Sequence, residues 1–195
     1  MKITKKVGEI ASIQAGNRMR GTIPHVPGSG IFMIQPKDID EYGRVNWWQV
    51  TETELTGRAE PRWLEPGDVI FRMNGKNNLA SYIDRIEVPG LVVCSHQFFH
   101  LKVEYSGVAP EYLAWCLNTS VFQDILRERK VEAGTGPVVN KRMLAGIDVT
   151  IPLDSDQQRL LELWFAFLAE QRHYQYELAA SVDRYKKGVQ GIYEV

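Results

Sequence analysis

Between Asp156 and Lys187 the sequence contains neither glycine nor proline. A helix over that stretch is ~45 Å long at 1.5 Å per residue, more than one small domain needs. Its apolar positions follow a heptad. One row holds Leu161, Leu168, Gln175, Val182 and Val189, and the other holds Trp164, Gln171, Leu178 and Tyr185. Leu160, Phe167 and Tyr174 thicken the stripe. Asp154-Ser155-Asp156 supplies N-cap candidates with negative charge for the positive end. Lys186-Lys187 suits the negative end, and Gly188 is expected to close the helix. An amphipathic helix lying on its own domain also carries such a stripe. The length, the heptad and the two central glutamines favour a helix–helix seam formed by Leu161, Trp164, Leu168, Gln171, Gln175, Leu178, Val182 and Tyr185, in which polar positions fix register.

The residues before Pro152 have another texture. Val7 to Ile13 alternates weakly and ends at Gly16, while Gly30 to Gln35 reads as a buried strand stopped by Pro36. Pro66-Gly67 is a turn leading into the apolar strand Val69 to Arg72. Gly90 to Ser95 and Gln97 to Val103 are rich in β-branched and aromatic residues and read as strands. Ala109 to Leu126 carries apolar residues near a 3.6 period, with Pro110 at its start, and reads as helix. Residues 132–137 are expected to be loop. Trp47-Trp48, read as strand, would point to opposite faces, one in the core and one outside. The expectation is an α+β chain: a domain over residues 1–152 with a mixed, twisted sheet, then a long coiled-coil-like helix over residues 153–195.

Chemistry is conspicuous by what is missing. No Pro-Pro occurs, so there is no Asn/Asp-Pro-Pro-aromatic loop of an adenine methyltransferase. The two Gly-x-Gly triplets, Gly28-Ser29-Gly30 and Gly134-Thr135-Gly136, lead into a strand and a proline rather than a helix. There is no P-loop and no nucleophile elbow. Asp68 could serve a nuclease, but no strand supplies an Asp/Glu-x-Lys partner, so it reads as a turn residue. Cys94 and Cys116 lie in apolar segments as buried thiols. His25, His96, His100 and His173 form no metal motif. The net charge is −1, so composition does not announce a nucleic-acid binder, and a basic face would have to be local. No apolar run reaches the ~20 residues of a membrane span, and the basic start has no apolar region behind it, so a cytoplasmic protein is expected. A binding role follows from the lack of a catalytic set.

Several segments, in order, resemble one family. Lys6-Val7-Gly8-Glu9-Ile10 to Gly16 resembles the opening of the recognition domains of type I restriction–modification specificity (S) subunits. Ile34-Gln35-Pro36-Lys37-Asp38-Ile39 followed by Gly43-Arg44-Val45-Asn46, Leu64-Glu65-Pro66-Gly67-Asp68-Val69-Ile70 and Pro110-Glu111-Tyr112-Leu113 are similar to further elements of that family. Ile151-Pro152-Leu153 with Gln157-Gln158-Arg159 resembles the transition into its long helix, with Asp154 where the family has a second proline. The usual S subunit has two recognition domains and two helices, whereas this sequence has one of each and no internal repeat. The resemblance implies a non-catalytic subunit without cofactor or metal that binds double-stranded DNA. It further implies pairing of two copies through antiparallel helices, and direction of partner methyltransferase (M) subunits, with a restriction (R) subunit as a further partner, to a split target. The alternative is a stand-alone DNA-binding or regulatory module of a phage-defence system. A different class is an inert interaction protein that its helix merely oligomerises.

Three segments carry the donors that DNA readout needs. Arg72-Met73-Asn74-Gly75-Lys76-Asn77-Asn78 offers arginine for guanine, asparagine for adenine and a glycine for close backbone approach. Gly134 to Arg142 contributes Thr135, Lys141 and Arg142, within a stretch from Arg127 of net charge +3. Asn17 to Gly21 contributes Arg18 and Arg20. Each could equally be a solvated surface loop. Trp47-Trp48 could touch DNA or a methyltransferase, against the simpler reading of edge packing.

Overall fold

The computed structural model describes residues 2–19, 21–56, 60–75, 78–129, 131–133 and 136–193. The chain divides into two compact units, residues 1–157 and 158–195.

The first unit opens with strand β1 (Ile3–Lys6) and a single helical turn, α1 (Val7–Ile10), followed by β2 (Ala11–Ala15). The alternation read over Val7 to Ile13 therefore holds only from Ala11. Val7 and Ile10, three apart, both turn inward, and the Lys6 N–H donates to Glu9 Oε2 at 2.6 Å to close the turn. Next come β3 (Ile31–Ile34), β4 (Thr51–Glu52), β5 (Val69–Arg72), β6 (Ala80–Tyr82), β7 (Leu91–Cys94) and β8 (Phe98–Val103). These build two sheets: β2-β8-β5-β6, antiparallel throughout, and β4-β3-β7, in which β3 and β7 run parallel. The main core holds Ile34 and Cys94 from one sheet with Ile70 and Phe98 from the other.

Helices α2 (Pro110–Asn118) and α3 (Ser120–Arg129) replace the single helix expected over Ala109 to Leu126. The chain breaks at Thr119, whose backbone is extended (φ −65°, ψ 148°) and whose hydroxyl donates to Cys116 O at 2.7 Å and accepts from the Phe122 N–H at 3.4 Å. A short polar side chain can end one helix and cap the next in this way. Residues 132–137, expected as loop, belong largely to a hairpin. Strands β9 (Val131–Ala133) and β10 (Gly136–Val138) pair antiparallel, with Pro137 opposite Glu132. A proline without N–H is tolerated because β9 and β10 form a separate two-stranded ladder with open edges. A short helix α4 (Lys141–Ala145) and strand β11 (Asp148–Ile151) complete the unit, and β11 pairs antiparallel with β1. Trp47 and Trp48 lie on a 3-10 turn (Trp47–Gln49) rather than a strand; Trp47 packs on the core and Trp48 is 81% exposed.

The long helix α5 (Asp154–Tyr193) begins with Asp154 and Asp156 in its first turn. Its root belongs to the first unit: Gln157, buried, donates to Gly107 O at 2.8 Å and Pro152 O at 3.2 Å and accepts from the Ala109 N–H at 3.2 Å. The helix runs through Gly188, where closure was expected. A glycine weakens a helix by about 1 kcal/mol but ends one only where the backbone turns left-handed, and the glycines with positive φ among the described residues all precede Gly90. Of the seam positions, Leu161 is buried, Trp164, Leu168 and Gln171 are half-buried, and Gln175, Leu178, Val182 and Tyr185 are exposed.

Candidate nucleic-acid interface

β2 and β5 both run antiparallel to β8, one on each side of it. Their C-terminal ends therefore lie together, beside the start of β8. Ala15 pairs with Phe99 and Arg72 with Phe98, while Gly16 N–H donates to Phe98 O and Met73 N–H to Gln97 O, both at 2.9 Å. Strands two apart in a sheet are separated by about 10 Å. The segments beginning at Asn17 and at Arg72 thus leave the sheet side by side. The third segment joins them: Asn74 bridges Val138 of β10, and Val139 N–H donates to Met73 O at 2.8 Å. Three stretches far apart in sequence converge on one end of one sheet.

Each is anchored by a buried residue. Met19, next to Arg18, is buried with Met33 and Val93, and Trp63 packs against them. Gly16 is obligatory, since a Cβ there would stand 2.2 Å from Ser95 O. Asn78 is fully buried: its Nδ2 donates to Arg72 O at 2.8 Å, and its own carbonyl accepts from Gln123 Nε2 at 2.9 Å. It closes the 72–78 segment from below and is not at the surface to meet a base. Val139 is buried beneath the hairpin, and Asn140 caps α4, its Oδ1 accepting from the Met143 N–H at 2.9 Å. Lys141 and Arg142 are exposed on that first turn.

Arg72 is half-buried and its guanidinium folds back over Gly75. Gly75 has φ +108°, and a Cβ there would approach the guanidinium to 3.0 Å, so glycine makes room for the fold-back. Asn74 is half-buried, and Arg18 is exposed. Arg20, Lys76, Asn77 and Thr135 lie outside the described residues.

The charge at this end is one-sided. Segments 16–25, 72–80 and 136–142 each contain two Lys or Arg and no Asp or Glu, and Glu132 on β9 is the one acidic residue of the hairpin, in a chain with 23 basic and 24 acidic residues. Ion pairs form elsewhere: Lys37 with Asp38, Arg44 with Asp40, Arg85 with Glu87, Lys102 with Glu65, Arg127 with Asp124 and Lys187 with Asp183. Among the described residues, Arg18, Arg72, Lys141 and Arg142 join no carboxylate. At the opposite end of the sheet, where β5 begins, stand Glu65 and Asp68. There Asp68 accepts from the Glu65 N–H at 2.8 Å, as befits a turn residue, and lies 2.8 Å from His100 Nε2. An uncompensated cationic rim attracts a polyanion, and Arg and Asn on it can read base edges.

Sequence inspection missed one member of this rim. Arg62 is exposed, and its Nη1 donates to Ala15 O at 3.0 Å. A single arginine between Pro61 and Trp63 has none of the Lys/Asn/Gly company that marks the other segments. Elsewhere the thiols of Cys94 and Cys116 are buried, and burial pushes both up to about 12, as inert core thiols require. Among the described residues no cluster of His, Cys, Asp and Glu could hold a metal, and no helix is long and apolar enough to cross a membrane.

No protein-family model matches the sequence, and no curated protein matches it. Solved structures do match. A chain from a structure of complex assembly and conformational transition of the type I R-M system superposes with TM-score 0.59 and 16% identity, over 94% of this chain and 43% of that one. The HsdS subunit from Thermoanaerobacter tengcongensis gives TM-score 0.56 and 12% identity, over 87% and 37%. The S subunit of the type I restriction–modification system from M. genitalium gives 0.53 and 14%, over 92% and 42%. The chain spans about two fifths of the length of these structures. The chain thus has an S-subunit-like fold.

Proposed function

We propose that this chain is a DNA-recognition subunit of a type I restriction–modification complex, bringing methyltransferase subunits, and in a restricting complex an R subunit, to a bipartite target. The observation that carries this reading is the predominantly basic rim at one end of the β2-β8-β5-β6 sheet, formed by three converging segments on an S-subunit-like fold. Lys141, Arg142 and Arg18 would neutralise phosphates and set register. Arg72 and Asn74, with Lys76, Asn77 and Thr135, would face bases, Arg72 after swinging off Gly75. The subunit catalyses nothing itself and works in the cytoplasm beside the DNA.

Two copies would pair through α5 about a two-fold axis. Burying large apolar side chains such as Leu168, Leu178 and Val182 is worth roughly 1.5–3 kcal/mol each before ordering costs. In an antiparallel pair Gln171 and Gln175 fall near the axis, and the target becomes an inverted repeat with a fixed spacer.

The test is selection from random-sequence duplexes over a salt series, with and without the M subunit. A split inverted repeat, bound with a steep salt slope and methylated only when M is present, is the expected result. Absence of any sequence preference, or methyl transfer by the chain alone, overturns the proposal.

A further inference from the structure

Arg62 belongs to the same rim, on a fourth segment that the three sequence candidates do not include. Its backbone is held by the two residues that follow it. Trp63 packs against the Met19 cluster, and Leu64 is buried in the main core with its N–H donated to Val92 O at 2.8 Å. The Arg62 N–H itself points to Asn17 Oδ1 at 3.5 Å. The guanidinium is exposed, yet Nη1 is tied to Ala15 O, the last carbonyl of β2, at 3.0 Å. One of five donors is thereby used to fix the group, and the remainder of the fork is left for another acceptor. No carboxylate pairs with Arg62 among the described residues, whereas the exposed Arg85 and Arg127 hold Glu87 and Asp124.

A surface arginine ordinarily loses several rotamers when it grips a ligand. Here the chain has already met much of that cost, because backbone and head group are both anchored before any ligand arrives. The fork stands at the C-terminal end of β2, where Arg18 begins the adjoining segment. A fixed, unpaired guanidinium suits a phosphate oxygen pair, which guanidinium binds in a forked geometry.

We propose that Arg62 is a backbone-phosphate contact of the DNA interface, setting the position of the duplex without reading sequence; this rests on the DNA-recognition reading above. The experiment compares wild type, Arg62→Gln, Arg62→Lys and Arg62→Ala for thermal unfolding, selected DNA sequence and salt dependence of affinity. Glutamine removes the charge and ends two bonds short of Nη1, so Arg62→Gln and Arg62→Ala lose the Ala15 O tie alike, and thermal unfolding reads that loss apart from the salt slope. With Arg62→Gln, we expect a folded chain with the unfolding temperature of Arg62→Ala, an unchanged consensus and a salt slope shallower by about 0.9. Arg62→Lys should keep the wild-type slope. A slope identical to wild type in Arg62→Gln overturns the proposal and leaves Arg62 a structural tie, visible only as lost stability in Arg62→Gln and Arg62→Ala. A consensus altered at one base pair also overturns it, because the residue would then read a base. A wild-type chain that binds no DNA in this assay fails the recognition reading itself, before any variant is compared.

Discussion

Asn118, at the end of α2, holds the outer edge of the β2-β8-β5-β6 sheet. Its Oδ1 accepts from Ala80 N–H and its Nδ2 donates to Ala80 O, both at 2.8 Å, so one side chain takes the place of a neighbouring strand. Ala80 is 1% exposed. Leucine has a shape close to that of asparagine but no polar atoms, so Asn118→Leu keeps water out while removing both partners. Each buried group left alone costs about 1–3 kcal/mol, and added apolar burial returns about 1 kcal/mol. A net loss of about 3 kcal/mol lowers Tm by roughly 6–12 °C in a chain of this size. Calorimetry and urea unfolding measure it. Asn118→Asp separates the two bonds. The carboxylate still accepts from Ala80 N–H but faces Ala80 O with no proton to give. Its deficit should shrink as pH falls and the acid gains a proton to donate. A Tm within about 1–2 °C of wild type for Asn118→Leu, or a pH-independent deficit for Asn118→Asp, would refute the reasoning.

Other consequences follow from named groups. Burial raises the Asp38 carboxyl above its usual range although the Gln35 N–H donates to it, so its cost is full above the folded pKa and fades as pH falls toward the ordinary carboxylate value. An amide at this position keeps an acceptor for that N–H, so Asp38→Asn should match or exceed wild-type stability at neutral pH, with the gap closing in acid; lower stability at neutral pH would contradict this. Hydrogen bonds from the Gly30 and Gly28 N–H groups hold Glu52 below its ordinary pKa, so its contribution is present above that value and is lost as pH falls through the depressed one; relative to the intrinsic exchange rate, protection of the Gly28 and Gly30 amides should fall in acid in wild type and stay level with pH in Glu52→Gln. Lys141→Ala with Arg142→Ala should weaken DNA binding uniformly across sequences and flatten its salt slope by about 0.9 per lost phosphate contact, whereas an unchanged slope places α4 away from DNA. Leu168→Asp with Leu178→Asp should give monomers with poor affinity for a split site, and light scattering that finds the wild type monomeric alone and with its methyltransferase would rule out the symmetric pair.

The long helix was legible because thirty-odd residues without glycine or proline, in heptad order, leave few other conformations. Strands β3, β5, β7 and β8 were legible from β-branched runs bounded by turns. The break at Thr119 was not, since it depends on one hydroxyl finding Cys116 O and Phe122 N–H. The β9–β10 hairpin was hidden by Gly134, Gly136 and Pro137, whose local preference is for loop but whose neighbours pair. For the candidate interface, residue types marked three segments. Their meeting did not show, because β8, the strand between β2 and β5, comes after both in the chain and the pairing is wholly non-local. Composition also could not distinguish Asn74, half-buried, from Asn78, which commits its amide to Arg72 O.

The pairing of β1 with β11 places Ile3 directly opposite Ile151. Residues 3–151 therefore begin and end at neighbouring points, within about 5.5 Å across an antiparallel ladder. In engineering terms that stretch is a cassette with its plug and socket on the same side. A short linker could join the two ends while new termini open between the exposed Asp84 and Arg85. Whatever is fused beyond residue 151 is carried from the same spot at which the cassette can be spliced into another chain, so recognition units with different rims could be exchanged on one helix without rebuilding the junction.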